Sequence, residues 1–248
     1  MERRVSKNHL SFAKNTSAES ILLGCSSWGD VHRALTRNSW IDAQLRAHFS
    51  SASQSVLDVG CGAGFLSNYL SERGHAVTGL DASIESLDVA RHHDATQKVR
   101  YECGDAYRLP FADESFEAVC IMDFLEHVEE PARAVAEASR VLRQGGLFFF
   151  STFNRNWLSW LIVIKGVERV VANTPPNMHI LRLFVKPSEA GAMCRDNGLR
   201  VKAVHGFIPD LYRGAFWRML FTRRVEDDFR FRFVKSTATG YIGVAEKG

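Results

Sequence analysis

The stretch Val56–Leu70 reads VLDVGCGAGFLSNYL, and it decides the fold. An apolar run that contains the acid Asp58 is followed by glycines at every second position, Gly60, Gly62 and Gly64. The residues after the last glycine have the apolar spacing of a helix. A strand, a glycine-rich turn and a helix in this order are typical of nucleotide-binding α/β proteins.

Outward from this stretch, strand-like and helix-like segments alternate. Predicted strands cover residues 55–60, 76–81, 99–105, 116–122, 146–152, 199–207 and 238–247, and predicted helices cover 65–74, 84–93, 131–144 and 186–198. This alternation predicts a doubly wound, Rossmann-like α/β fold with a seven-stranded, mostly parallel sheet. Sheets of this kind bind ligands at the carboxyl ends of their strands.

The chain divides into a short leading segment and one larger domain. Residues 1–50 are predicted to form an N-terminal helical cap, with two helices between 18 and 49, the second over 38–49. Residues 51–248 form the main domain, and an amphipathic insertion at 155–182 follows the fifth strand. An aromatic and arginine-rich stretch, 211–233, separates the last two predicted strands and has no assigned element.

Composition narrows the class of protein. The 248 residues are 46% hydrophobic and 24% charged, with a formal net charge of +3, which is ordinary for a globular protein and too weakly basic to indicate nucleic-acid binding. The five cysteines are scattered without a C-x-x-C pair, so a reducing cytoplasm is expected rather than a disulfide or zinc framework. We find neither an apolar leader nor the run of about 18 apolar residues that would span a bilayer.

The details of the glycine loop indicate which nucleotide it holds. A dinucleotide fingerprint needs glycine where this chain has Phe65, and Asp58 would repel a pyrophosphate, so an NAD-dependent oxidoreductase is disfavoured. S-adenosylmethionine has no phosphate, carries two positive groups and offers ribose hydroxyls to an acid. Asp81 ends the second strand, 21 residues after Gly60, where a carboxylate accepts from ribose. Asp105 ends the third strand and could accept from the adenine amino group.

This conjunction of acid, glycines and two further strand-end acids resembles the class I S-adenosylmethionine-dependent methyltransferases over residues 55–152. A lone glycine loop would indicate only a turn, and a lone strand-end acid only a helix cap. The motifs and the resemblance together imply that the cofactor contacts come from Asp58, Gly60, Cys61, Gly62, Gly64, Asp81, Ala82, Asp105, Ala106 and Met122.

A narrower resemblance covers residues 56–189. STFNRN at 151–156, SWL at 159–161 and the later pattern H-x(4)-F-V-K-P-x-E are similar to the ubiquinone-biosynthesis O-methyltransferases. That resemblance implies an enzyme that methylates phenol or catechol hydroxyls of small, polyprenylated rings, working at the inner membrane through its insertion. It implies no nucleic-acid substrate, and the N/D-P-P-Y-like motif of many nucleic-acid methyltransferases is absent.

The insertion supports this independently through its own pattern. Apolar residues follow roughly helical spacing at Trp157, Leu158, Trp160, Leu161, Ile164, Val167 and Val171. Such a segment can lie in a bilayer interface, wall a greasy substrate pocket, or pack as core or at an oligomer interface. The aromatic and basic residues after 211 could add a second interfacial surface.

A phenol is a poor nucleophile until it loses its proton, so a base or a metal is expected near the acceptor. Asp123, Glu126 and His127 follow the fourth strand at spacings that share one face of a helical turn. In the ubiquinone family the matching positions are proposed to hold a divalent metal such as Mg²⁺. His127 could instead act as a direct base, or Glu126 and His127 could be structural, and His179 is a weaker candidate base.

One departure from the family bears on the cofactor. The ubiquinone enzymes place an arginine ahead of the glycine loop, where this chain has Ile41, and Arg37 or Arg46 could substitute. The acceptor could therefore differ, and a methyltransferase for soluble small molecules with the insertion as a lid is the alternative. A degenerate cofactor-binding fold without turnover is a third reading, opposed by the intact Asp58, glycine loop and Asp81.

Overall fold

The computed structural model describes residues 28–167, 180–212, 214–222 and 230–248. The strands are β1 (Ser55–Val59), β2 (Ala76–Asp81), β3 (Arg100–Cys103), β4 (Phe116–Met122), β5 (Leu142–Phe153), β6 (Leu199–Pro209), β7 (Phe231–Val234) and β8 (Gly240–Lys247). The α-helices are α1 (Trp28–His48), α2 (Phe65–Ser71), α3 (Ile84–His92), α4 (Pro131–Val141), α5 (Trp157–Ser159), α6 (Pro187–Asp196) and α7 (Gly214–Thr222). Helix α5 continues as a π-helix over Trp160–Val167, and two 3₁₀ turns cover Leu125–His127 and Leu181–Leu183.

The eight strands within the described residues form one sheet in the order β3-β2-β1-β4-β5-β8-β6-β7. Strands β1 to β5 are parallel, whereas β8 is antiparallel to both β5 and β6. The predicted doubly wound, mostly parallel α/β architecture is therefore confirmed. The carboxyl ends of β1, β2, β3 and β4 meet at one edge, which is where ligands bind in sheets of this type.

The predicted count of seven strands is wrong, because the described sheet has eight. The additional strand, β7, comes from the end of the aromatic and arginine-rich stretch and pairs antiparallel with β6. Its four residues alternate between aromatic and other side chains, and the ring of Phe231 stacks on Phe207 with centroids 5.0 Å apart. Four alternating residues are too short a pattern to predict a strand without knowing that an edge stands open beside them.

The N-terminal cap contains a helix longer than predicted. Residues 38–49 continue a helix that begins at Trp28, so the expected break before Asn38 is absent, and any helix earlier than 28 lies outside the described residues. Arg37, Ile41 and Leu45 recur every fourth residue and are 8%, 0% and 0% exposed, so one face of α1 is buried against the sheet. This contact brings the charged side chain of Arg37 to the edge where the parallel strands end.

The two faces of the sheet bury separate cores. Ile41 and Leu45 of α1 pack with Phe149 on one face. Phe148 and Phe150, the neighbours of Phe149 in β5, pack with the residues of α4 and α6 on the other. Because successive side chains of a strand point to opposite faces, this division tells on which side a strand-end residue lies.

Candidate active site

The glycine loop after β1 turns tightly over β2. The backbone N–H of Gly60 donates to the carbonyl of Leu80 at 2.8 Å, and Gly64 opens helix α2 with a φ of 78°. A Cβ at Gly64 would lie 2.3 Å from the hydroxyl oxygen of Tyr101, whereas a Cβ at Gly62 would have no atom within 4 Å. Gly64 is therefore required for packing, and Gly62 borders open space at the ends of the strands.

Asp81 is held at the end of β2 by the loops on both sides. Gly62 N–H donates to Asp81 Oδ2 at 2.8 Å, and Ser83 N–H donates to Asp81 Oδ1 at 2.9 Å. Each carboxylate oxygen has further acceptor capacity after one such bond. The carboxylate is thus oriented in advance beside the open space over Gly62, as an acceptor of two neighbouring hydroxyls must be.

Asp58 is a buried carboxylate, 2% exposed, at the same edge of the sheet. Ser67 Oγ donates to Asp58 Oδ2 at 2.7 Å. Burial raises the pKa of Asp58 from 3.8 to about 6; the Ser67 hydrogen bond and the nearby charge of Arg37 oppose that rise, and Asp81 adds to it. A carboxylate that is costly to ionise in the folded protein is stabilised when a positively charged ligand lies beside it.

Replacing Asp58 by asparagine should therefore stabilise the protein at neutral pH. Because its folded-state pKa is raised, stability from Asp58 is fully present below about pH 4 and is lost as the pH rises through about 6. Asparagine removes this ionisation cost. The free energy of unfolding of the variant, relative to that of the parent, should therefore be about 2–3 kcal/mol higher at about pH 7.5 than at about pH 4. Urea denaturation at both pH values measures the gain.

The matched control is Asp88→Asn. Asp88 lies on α3 with its side chain 68% exposed, and its carboxylate forms an ion pair with Arg91. We expect its stability difference from the parent to stay the same at both pH values. A pH-independent effect of Asp58→Asn would contradict a buried, ionising Asp58.

The remaining predicted cofactor residues lie at the same edge. Asp105 is exposed and accepts the N–H of Tyr107 at 2.8 Å, while Ala82 is exposed and Ala106 is buried. Met122 is buried at the end of β4. Cys61 is buried, and burial raises the pKa of its thiol well above the usual value, so the thiol stays protonated and does not act as a nucleophile.

Asp123 follows β4 in a left-handed backbone conformation with a φ of 52°. Its carboxylate forms an ion pair with Nη1 of Arg37 from α1, and its Oδ1 accepts from Ser151 Oγ at 2.8 Å. Its N–H is bonded to the carbonyl of Ser151 at 3.1 Å. Asp123 is thus tied to α1 and to the end of β5 on the α1 side of the sheet.

The predicted convergence of Asp123, Glu126 and His127 on one helical face is wrong. The left-handed Asp123 precedes a separate 3₁₀ turn, in which Glu126 is buried and His127 is exposed. Glu126 raises the pKa of Tyr241, second to burial, and Tyr241 belongs to the core on the α4 side. Among the described residues no group of three or more His, Cys, Asp or Glu side chains could hold a metal ion, so this set does not fit the predicted Mg²⁺ site.

The sequence left open whether Arg37 or Arg46 lies at this edge, and the structure places Arg37 there. Of the two arginines considered, Arg46 pairs with Asp42 and with the carbonyl of Arg73, whereas Arg37 enters the site. Ile41 is fully buried in the core on the α1 face of the sheet. The spacing of Arg37 four residues before Ile41 on a helix is the signal that could have placed it on the buried face.

The insertion begins as an exposed apolar helix. Trp157, Trp160, Leu161 and Ile162 are 72%, 41%, 47% and 45% exposed, and Asn156 caps the helix by accepting the N–H of Ser159. Residues 168–179, including Val171 and His179, lie outside the described part.

The exit of the insertion is anchored by arginines. Arg182 donates through both terminal nitrogens to Glu129, at 2.7 and 3.0 Å, and so ties the second 3₁₀ turn to the loop after His127. Arg155, just after β5, forms an ion pair with Glu189 of α6 and donates to the carbonyl of Arg182 at 3.2 Å. The described ends of the insertion are therefore held beside the loop that follows β4.

Sequence comparisons relate this edge to known proteins. A family model described as a methyltransferase domain matches residues 57–150. The ubiquinone biosynthesis O-methyltransferases of Pseudomonas putida and Stutzerimonas stutzeri are each 38% identical to this chain over 173 residues, which is 68% of this chain and 73% of each relative. The residues that the family model matches include the glycine loop and the strand-end acids Asp58, Asp81 and Asp105.

Solved structures agree at the level of the fold. The magnesium protoporphyrin IX methyltransferase of Synechocystis, solved with bound SAH (S-adenosylhomocysteine), gives a TM-score of 0.60 at 19% identity and covers 88% of this chain and 84% of its own. An S-adenosylmethionine-dependent methyltransferase from Methanosarcina mazei gives a TM-score of 0.57 at 20% identity and covers 82% and 96%. At these identities the likeness concerns the arrangement of the sheet and helices.

Proposed function

Because the chain belongs to the ubiquinone-biosynthesis O-methyltransferase family and is an S-adenosylmethionine-dependent methyltransferase, we propose that its acceptor is a phenol or catechol hydroxyl on a polyprenylated quinone precursor. The observation that carries the proposal is the pairing of an acidic, glycine-lined ligand edge with exposed apolar segments that leave the sheet at that same edge. The first part suits the cofactor, and the second suits a lipidic acceptor.

In this proposal, different residues of the edge bind different groups of the cofactor. S-adenosylmethionine supplies a methyl group on a positively charged sulfur. Asp81, oriented by two backbone N–H groups, accepts the ribose hydroxyls. Asp58 faces the positively charged end, where the charge offsets the cost of its ionisation. Asp105 accepts from the adenine amino group, and Gly62 leaves the room that a side chain would fill.

We assign proton removal at the acceptor to His127. It lies at the rim beyond β4 and is exposed, so it can reach an acceptor and exchange protons with water. Asp123 is already paired with Arg37, and Glu126 is buried beneath the turn, so neither is placed to take the proton of an acceptor at the rim. Their proposed roles are to hold the ends of β4 and of the turn.

The exposed apolar surface suits a lipid interface. Strands β5 and β6 run in the same direction, so the insertion after β5 and the segment after β6 leave the sheet at the edge that binds the cofactor. That second segment exposes Tyr212, Trp217 and Phe221, at 85%, 54% and 87%. Tryptophans and aliphatic residues beside arginines are the composition of segments that lie in a bilayer interface. No helix within the described residues is both long enough and apolar enough to span a bilayer.

The test compares one ring chemistry in two settings. Methyl transfer from labelled S-adenosylmethionine is measured to a water-soluble catechol and to a polyprenyl catechol in vesicles containing anionic lipid. The parent enzyme should methylate both. The double variant Trp157→Ser with Trp160→Ser should lose about tenfold or more on the vesicle-bound acceptor and keep its rate on the soluble one, because only interface contact is removed.

Arg200→Ser is the matched control. The side chain of Arg200 is 77% exposed near the start of β6, at the edge of the sheet opposite the insertion. It should leave both rates unchanged. Equal loss of both rates in the tryptophan variant would favour a lid over the active site, and failure of the parent to methylate any catechol would contradict the proposed acceptor.

A further inference from the structure

We propose that the guanidinium of Arg37 occupies the place of the divalent cation at Asp123, so that methyl transfer by this enzyme needs no metal ion. The inference rests on the proposed phenol or catechol acceptor, because that acceptor is what would call for a positive charge at this position. The family resemblance implies a metal site at Asp123, Glu126 and His127, and the arrangement of these three residues does not fit one.

The first observation is the contact itself. Arg37 Nη1 pairs with Asp123 Oδ2 and lies 3.4 Å from Ser151 Oγ, which in turn donates to Asp123 Oδ1 at 2.8 Å. Both oxygens of the first predicted metal ligand therefore already have partners. The side chain of Arg37 is 9% exposed and that of Asp123 is 25% exposed, so water screens the pair poorly.

The second observation is the fixed direction of Asp123. Its backbone φ of 52° and the bond from its N–H to the carbonyl of Ser151 aim the carboxylate toward α1. The turn that follows buries Glu126 and exposes His127. To collect these three around one ion, Asp123 would have to leave Arg37 and the turn would have to re-form.

The third observation is electrostatic. A guanidinium stays protonated throughout the physiological pH range, so a divalent cation on Asp123 would be repelled by a permanent positive charge at contact distance. Asp58, the other nearby carboxylate, also lies within the electrostatic reach of Arg37. The positive charge of Arg37 thus already offsets the negative charge of Asp123 and Asp58. Little negative charge remains at this edge to attract a second cation.

The fourth observation concerns what Arg37 still offers. Its Nε is buried and has no hydrogen-bond partner among the described residues. Buried donors are nearly always bonded in the working state of a protein, so an unused donor at a ligand-binding edge indicates a group that arrives with the substrates. A negatively charged or phenolic oxygen is the acceptor that a guanidinium prefers.

The chemical consequence is electrostatic stabilisation by a side chain. A fixed positive charge beside the acceptor oxygen favours the phenolate over the phenol, which is the task that a metal ion would otherwise perform. No bond to Arg37 forms or breaks. The acceptor proton leaves to a base, and the methyl group moves from sulfur to the acceptor oxygen.

The first experiment needs no substrate. The parent protein, stripped of metals with a chelator, is titrated with Mn²⁺ and followed by electron paramagnetic resonance. We expect no binding at millimolar Mn²⁺. Binding that Asp123→Asn abolishes would overturn the inference, and this holds whether or not any catechol is methylated.

The second experiment uses methyl transfer to the soluble catechol. The parent rate should be unchanged by chelator and by added Mg²⁺. Arg37→Gln should lose about 100-fold, metal ions should not restore the rate, and Arg37→Lys should recover part of it because it returns the charge without the fork. A parent rate that disappears with chelator and returns with Mg²⁺ would overturn the inference.

Arg46→Gln is the matched control. Arg46 lies on the same helix, also pairs with an aspartate, Asp42, and is 42% exposed, so its loss should leave the rate unchanged. Equal rates for Arg37→Gln and Arg46→Gln would contradict a role for Arg37. If Arg37→Gln does not fold, as judged by circular dichroism, the Mn²⁺ titration and the chelator test of the parent decide the matter.

Discussion

Asp81→Ala is expected to weaken the binding of S-adenosylhomocysteine by at least about 100-fold. Two hydroxyl bonds to a charged acceptor contribute about 1.5 kcal/mol or more each, and their loss together corresponds to two orders of magnitude in the dissociation constant. The substitution also leaves the N–H groups of Gly62 and Ser83 without their carboxylate partner, which loosens the loop that borders the site. Isothermal titration calorimetry of the purified protein measures the loss.

Asp88→Ala is the control for this result. Asp88 lies on the next helix, carries the same charge and has its side chain 68% exposed on the surface, so binding should be unchanged. If the parent binds and Asp81→Ala binds equally well, the ribose contact is assigned to the wrong residue. If the folded parent does not bind at all, the proposed cofactor edge itself is contradicted.

Gly64→Ala is expected to lower the free energy of unfolding by about 3 kcal/mol. The residue has a φ of 78°, and its new Cβ would lie 2.3 Å from the hydroxyl oxygen of Tyr101 and 2.9 Å from the Cβ of Ala90. Tyr101 cannot move easily, because it is buried and its hydroxyl donates to Asn68 Oδ1 at 2.7 Å. Urea denaturation followed by circular dichroism measures the effect.

Alanine substitutions at two other glycines distinguish the cost of backbone strain from the cost of steric crowding. Gly62 and Gly74 also have positive φ, 51° and 91°, but a Cβ at either would have no atom within 4 Å. Alanine at each should cost about 1 kcal/mol. Only Gly62→Ala should also weaken S-adenosylhomocysteine binding, because its methyl group enters the ligand space. A Gly64→Ala variant as stable as Gly74→Ala would contradict the predicted steric clash with Tyr101.

The fold was predictable because its information is local. Each buried parallel strand carries an apolar run and each helix an amphipathic pattern, and β4 spans the predicted residues 116–122. The glycine loop was also predictable from a local pattern, the glycines at every second position. Strand β7 was not predicted, because its four residues form a strand only by pairing with the neighbouring edge of β6.

The positions of the strand-end acids were also predictable, since a residue at the end of a parallel strand is placed by the sheet itself. Asp58 and Asp81 lie where the strand pattern puts them. The group after β4 was not predictable, because helical spacing was assumed through Asp123, whose backbone is left-handed. The partners of Asp123 are 86 and 28 residues away in the chain, and no local pattern records such contacts.

The long reach of Arg37 has a consequence for biosynthesis. Its partners Asp123 and Ser151 follow it by 86 and 114 residues, so a ribosome that adds about 5–20 residues per second completes this contact roughly 6–23 s after Arg37 is made. During that interval the apolar face of α1 around Ile41 and Leu45 lacks the residues of β4 and β5 that it packs against. The newly made chain therefore exposes this face of α1 until β4 and β5 are complete, and the ion pair between Arg37 and Asp123 can form only after that.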